Sequence, residues 1–112
     1  MKPRSRTGGV TRRTIPLVLV LVELSRAPGE VCGVDVAAST GLPCGTVYPL
    51  LGRLAVDGLV KERKQGNRVF LILTEAGHAE AAAAVRWAAN ERTATHRRRQ
   101  QLDDILRRAA RP

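Results

Sequence analysis

The first sustained apolar run along the chain is Ile15 to Leu24, interrupted only by Pro16 and Glu23 and stopped by Pro28-Gly29. It predicts a first helix buried on most of its sides. The Leu and Val content would also suit a strand, but Glu23-Leu24-Ser25-Arg26 continues a helical pattern. Glu30-Val31-Cys32, with glycine on both sides, reads as a minimal strand. Val34, Val36, Ala37 and Ala38 then predict a brief second helix that ends at Thr40-Gly41, where glycine supplies the left-handed residue. Pro43 suits the first position of a third helix running to Asp57, since its fixed φ is already helical. Within it Val47, Leu50, Leu51 and Leu54 recur at i, i+3, i+4 and i+7 and define one buried stripe.

Beyond Gly58, Leu59 to Arg63 and Arg68 to Leu73 are strand-like runs around Lys64-Gln65-Gly66-Asn67, which predicts a hairpin with a basic tip. Thr74 is a good N-cap, with Glu75 in the following turn. From there to Ala110 nearly every residue favours helix and no proline intervenes, so one long final helix is expected. The chain therefore divides into an arm (1–13), a body (14–74) and a C-terminal helix with a basic tail (75–112). This predicts a mainly α fold with a small β-hairpin, an α+β winged helix-turn-helix carrying a long C-terminal dimerisation helix. At 112 residues there is room for one such domain.

Charge adds a partner to this picture. The net charge of +9 is concentrated at the ends: residues 1–13 carry five basic groups and no acid, and residues 90–112 carry seven arginines against three acids. Residues 14–89 balance seven basic groups with seven acidic ones. A neutral body with basic extensions suits a polyanion, because neutralised phosphates release counterions. The arm has no hydrophobic periodicity and reads as flexible.

The segments Gly41-Leu42-Pro43-Cys44-Gly45-Thr46-Val47-Tyr48-Pro49-Leu50-Leu51, Asp57-Gly58-Leu59-Val60 and Leu73-Thr74-Glu75-Ala76-Gly77 resemble the PadR family of transcriptional regulators over roughly residues 14–85. The resemblance implies a dimeric repressor that reads near-palindromic promoter DNA through the third helix and the wing. It also implies that the first and last helices form the dimer interface, through Leu17, Leu21, Val85, Trp87, Leu102, Ile105 and Leu106. Cys44 interrupts the family's Pro-Gly pair, Val34 stands where relatives often carry Tyr, and Phe70-Leu71 replaces a common Tyr-Tyr. These departures leave DNA binding intact and put an inherited ligand in doubt.

The residues support a DNA role independently. With the Val47 stripe turned inward, Gly45, Thr46, Tyr48 and Arg53 lie near the opposite face. Gly45 would let the backbone approach a phosphate at a helix start. Thr46 and Tyr48 can bond phosphate, and Thr46 can also meet a thymine methyl. Pro43, Gly45, Thr46, Tyr48 and Arg53, with Lys64, Asn67 and Arg68 of the wing, form the expected DNA-facing set for a double-stranded DNA partner. Ordinary surface packing and a solvated hairpin are the plainer readings of the same residues. Pro49 is expected to bend the third helix. The stripe Leu102, Ile105, Leu106 and Ala109 has no evident partner inside so small a domain, which is consistent with a homodimer.

Other readings stay open. Cys44 at a helix start could make a thiol-responsive regulator, whereas Cys32 fits a buried apolar role. Trp87 reads as an interface anchor, or as a stacking surface for a planar small-molecule effector. A non-regulatory winged-helix binder, serving plasmid partition or replication, is a further alternative. No nucleophile set, phosphate loop, paired carboxylates, cofactor motif or metal-ligand spacing is present, so neither an enzyme nor a metal site is expected. The Ile15 to Val22 run is too short to cross a membrane and no cleavage site follows it, so no membrane partner and a cytoplasmic location are expected.

Overall fold

The computed structural model describes residues 13–91 and 95–111. The arm at 1–13 therefore lies outside the described residues, except for its last member. In chain order the elements are α1 (Ile15–Arg26), β1 (Val31–Cys32), α2 (Gly33–Thr40), α3 (Cys44–Val56), β2 (Val60–Gln65), β3 (Arg68–Leu73), α4 (Glu75–Asn90) and α5 (His96–Ala110). Among the described residues the fold is α+β, five helices with a small antiparallel sheet of order β1-β3-β2.

α1 is the axis of the core. The Thr14 side chain caps it by accepting from Leu17 N, and Ile15, Leu17 to Val22 and Leu24 are all buried. Such all-round burial follows from its neighbours, since α2, α3, α4, α5 and β3 all pack against it. The unbroken apolar stretch Leu17 to Val22 follows, because neighbouring elements cover all six residues. α2 stops at Gly41, whose φ of +76° only glycine adopts without strain. α3 begins one residue later than expected, with Pro43 as its N-cap, and continues through Pro49 to Val56. Val47, Leu51 and Leu54 are buried as the stripe predicts, with Leu50 packed at the edge of the core.

The hairpin turns over Gly66-Asn67 alone, with Gln65 paired to Arg68. Gly66 has φ +61°, as a type II′ loop requires at its first central position, and among the described residues only glycines have positive φ. β1 adds two pairs to β3, Val31 to Leu71 and Cys32 to Phe70. The hairpin is locked to α4 at its base. Thr74 caps α4 by accepting from Gly77 N and donates to Gly58 O at 2.8 Å. A Cβ on Gly77 would collide with the Leu59 carbonyl, so glycine is required there.

The single long C-terminal helix is corrected. α4 ends at Asn90, and α5 starts afresh at His96 with Thr95 accepting from Arg98 N at 3.2 Å. α5 packs against both α1 and α4. A straight helix from 75 to 110 would be about 54 Å long against about 18 Å for α1, at 1.5 Å per residue. Its last turns would then have nothing to cover. Turning back instead buries Leu102 and Ile105 in the core of the same chain. The expectation that this stripe lacks an internal partner is therefore wrong. Leu17, Leu21, Leu102 and Ile105 are interior residues, so in this conformation they offer no surface to a second subunit. Val85, Trp87, Leu106 and Ala109 are only partly covered.

Candidate nucleic-acid interface

α3 presents its first turn without a side-chain cap. Thr46 N and Val47 N both donate to Pro43 O, at 2.9 and 3.0 Å, which leaves the amides of Cys44 and Gly45 without a helical acceptor. Pro43, Cys44 and Gly45 are exposed, and open space surrounds the position where a Gly45 side chain would start. Backbone donors, a positive helix end and an absent side chain together make a surface that an anion can approach closely. Thr46 is half-buried and Arg53 is exposed further along the helix.

Tyr48 has two roles. The residue is 38% exposed, yet its ring lies over Gly33 at the start of α2. A Cβ at Gly33 would stand 2.7 Å from the Tyr48 Cε1 atom, so the absence of a side chain there allows the ring to bridge α2 and α3. Val34, beside Gly33, is also exposed.

The wing arranges its charges by register. Lys61 pairs with Ile72, Arg63 with Phe70, Lys64 with Val69 and Gln65 with Arg68. Side chains alternate between faces along each strand, so Arg68 shares one face with Lys61, Arg63 and Phe70 while Lys64 lies on the other. The two cations nearest the turn thus flank the tip from opposite sides, with Asn67 exposed between them. Lys61, Lys64, Arg68 and Arg53 form no ion pair among the described residues. β2 packs against α3, which ties the wing to the helix.

Arg63, the end of the first strand-like run, behaves differently from the other wing cations. Its guanidinium bonds the Glu30 carboxylate at 2.8 Å, donates to Gln65 Oε1 and stacks 4.7 Å from the Phe70 ring centre. Hydrogen bonding to Arg63 holds the Glu30 carboxyl below its usual range, and hydrogen bonding to Glu30 raises Arg63. Arg63 is a strut of the wing rather than a free cation. No local pattern could reveal this, because Glu30 and Arg63 meet only through the β1-β3-β2 order.

The residues of the alternative readings are spread elsewhere. Cys44 is exposed and Cys32 buried, so the two thiols occupy different environments. Trp87 lines an open groove of about 470 Å³ with Arg13, Arg86 and Asn90, and Arg98 sits 5.8 Å over its ring. Among the described residues no group of His, Cys, Asp or Glu could hold a metal ion, and no helix is long and apolar enough to cross a membrane.

No family model matches the chain, and no curated protein matches it. Solved structures do. A protein of Ralstonia eutropha JMP134, itself assigned to DNA binding by inference, is 26% identical at a TM-score of 0.52, over 62% of this chain and 89% of its own. A fragment of a Mycobacterium bovis protein, assigned in the same way to transcriptional regulation, is 28% identical at a TM-score of 0.52, over 67% of this chain and 80% of its own. Reduced AbfR, solved bound to DNA, is 21% identical at a TM-score of 0.57, over 81% of this chain and 68% of its own, a likeness of fold. The chain is built like DNA-binding transcriptional regulators of winged-helix type.

Proposed function

We propose that this protein is a sequence-specific DNA-binding transcriptional regulator, a PadR-like dimeric repressor. The observation that carries the reading is the pairing of an uncapped, glycine-opened α3 start with a wing whose Lys61, Lys64 and Arg68 are exposed and unpaired among the described residues. Cations left without acids remain available to phosphates. In this reading α3 enters the major groove. Pro43, Gly45, Thr46, Tyr48 and Arg53 face the duplex, while Lys64, Asn67 and Arg68 take the flanking backbone or minor groove. The second subunit docks on the partly covered surface of Val85, Trp87 and Leu106, and sets the two α3 helices about 34 Å apart, one turn of DNA. A planar small-molecule effector would stack on Trp87 in the groove it lines with Arg86 and Asn90.

The test is binding to the DNA upstream of its own gene and to a shuffled duplex, across a salt series. Upstream-selective binding that persists at about 150 mM salt, with two chains per site, supports the proposal. Equal binding to both duplexes, collapsing with salt, replaces it with a non-regulatory DNA binder held by charge. A second reading rests on Cys44, whose thiol is exposed at the first residue of α3. A bulky oxidised sulfur there would obstruct the phosphate approach, making DNA release thiol-dependent. Repeating the binding with Cys44→Ser after peroxide treatment separates that reading from the first.

A further inference from the structure

The turn between α2 and α3 contains a backbone group that its own sequence cannot satisfy. Ser39 lies in the last turn of α2, so its carbonyl would ordinarily be met by an amide three or four residues on. The fourth residue is Pro43, which has no N–H. The third is Leu42, whose amide is taken by Thr40 Oγ1 at 3.3 Å. Thr40 is itself buried and spends its hydroxyl hydrogen on Val36 O. The Ser39 carbonyl is instead met from the far end of the chain, by Arg108 Nη1 at 2.7 Å.

Arg108 lies in the last turn of α5 and makes three connections at once. Besides Ser39 O, its guanidinium meets Glu23 Oε2 of α1 at 3.0 Å and Asp104 Oδ2 of α5 at 2.9 Å. The Arg108 and Glu23 side chains are 19% and 11% exposed, a largely covered pair, whereas Ser39 itself is exposed. Burial opposes the charge on Arg108, but hydrogen bonds to Asp104 and Glu23 outweigh it and hold its pKa above the usual value. Only a planar guanidinium can address three acceptors in this way. α5 otherwise packs on α1 and α4, and neither α3 nor a wing strand is among its main neighbours.

We infer that Arg108 is a positioning residue that couples α5 to the helix-turn-helix, so that the docking of α5 sets how α3 is presented to DNA. The DNA part of this inference rests on the proposed function; the coupling part does not. Displacing the last turn of α5 would hand the exposed Ser39 carbonyl to water, cut this link between α5 and the turn, and loosen Gly41 and Leu42, the residues that aim α3. The C-terminal helix is then a lever on DNA affinity, although it does not itself touch the duplex.

The experiment compares full-length wild type with Arg108→Met, which keeps the aliphatic stem, and with Arg108→Lys, which keeps the charge but loses the fork. Amide hydrogen exchange is read at Gly41, Leu42 and residues 102–110, alongside binding to the upstream duplex. In Arg108→Met, exchange at Gly41 and Leu42 should rise about tenfold while β2 and β3 keep wild-type protection. Affinity for the duplex should fall about fivefold to tenfold with the salt slope unchanged, because no phosphate contact is lost. Arg108→Lys should recover part of both. Wild-type exchange at Gly41 and Leu42 in Arg108→Met overturns the coupling. Loosened exchange with unaltered affinity overturns the lever on DNA. If wild type itself binds no duplex, the DNA reading fails, and raised exchange at the turn still supports the coupling. If Arg108→Met loses protection everywhere, Glu23→Gln, which keeps an acceptor and removes a charge, is decisive: the α2–α3 turn must loosen before the sheet does, or the inference is overturned.

Discussion

At the scale of single residues, charge matters here according to whether it is already engaged. Arg63 and Arg68 sit on the same face of one hairpin, yet Arg63 is held by Glu30 and Phe70 while Arg68 has no acid partner among the described residues. Removing a free cation should cost DNA contacts, whereas removing a strut should cost wing order. Lys64→Ala and Arg68→Ala are each expected to weaken binding to any duplex and to lower the logarithmic salt slope by about 0.9, one phosphate apiece. Arg53→Ala tests α3 in the same salt titration. A slope unchanged in both wing variants would remove the wing from the interface. The exposure of Gly45, Tyr48 and Arg53 could be inferred from the stripe of Val47, Leu51 and Leu54, because a helix that buries one face shows the other, although Thr46 is half-buried. The ring of Tyr48 over Gly33 could not, since those residues are neighbours only across the α2–α3 turn.

At the scale of elements, the wing depends on a tie between a loop and a strand. Glu30 has a folded pKa below its ordinary value of 4.5, so its contribution to wing order is complete above that value and is lost as pH falls through the lower one. Amide exchange across β2 and β3 should therefore be steady from neutral pH down to the carboxylate range and quicken below it, after correction for intrinsic rates. In Glu30→Gln that acid-induced step should vanish. A step of equal size in the variant would assign it to another carboxylate. The elements up to β3 were legible because each carries its own punctuation: Pro28-Gly29, Gly41, Gly58 and Gly66 stop or turn the chain wherever a period ends. The α4–α5 break was missed for the opposite reason. It has no proline or glycine, and its one local sign is Thr95, a capping residue placed before His96.

At the scale of the whole molecule, turning α5 back changes what the C-terminal helix is for. Leu102 and Ile105 belong to the core that surrounds α1, so truncating them should destabilise the chain by itself. Leu102→Ala is expected to cost about 2–5 kcal/mol in urea unfolding, with the loss independent of protein concentration. A loss that grew on dilution would instead place Leu102 between subunits, as a helix extended from α4 would do. The helical and strand periods, the turns up to α4, the buried stripe of α3 and the gathering of charge toward the ends are legible in the order of residues. All of these are written in residues within a few positions of one another. Which apolar stripe meets which, that Arg63 is spent on Glu30, and that Arg108 reaches Ser39 across 69 positions of chain follow from the packed fold alone. A local period shows that a face must be buried but not against what, because the partner is chosen by the space left once α1 is surrounded.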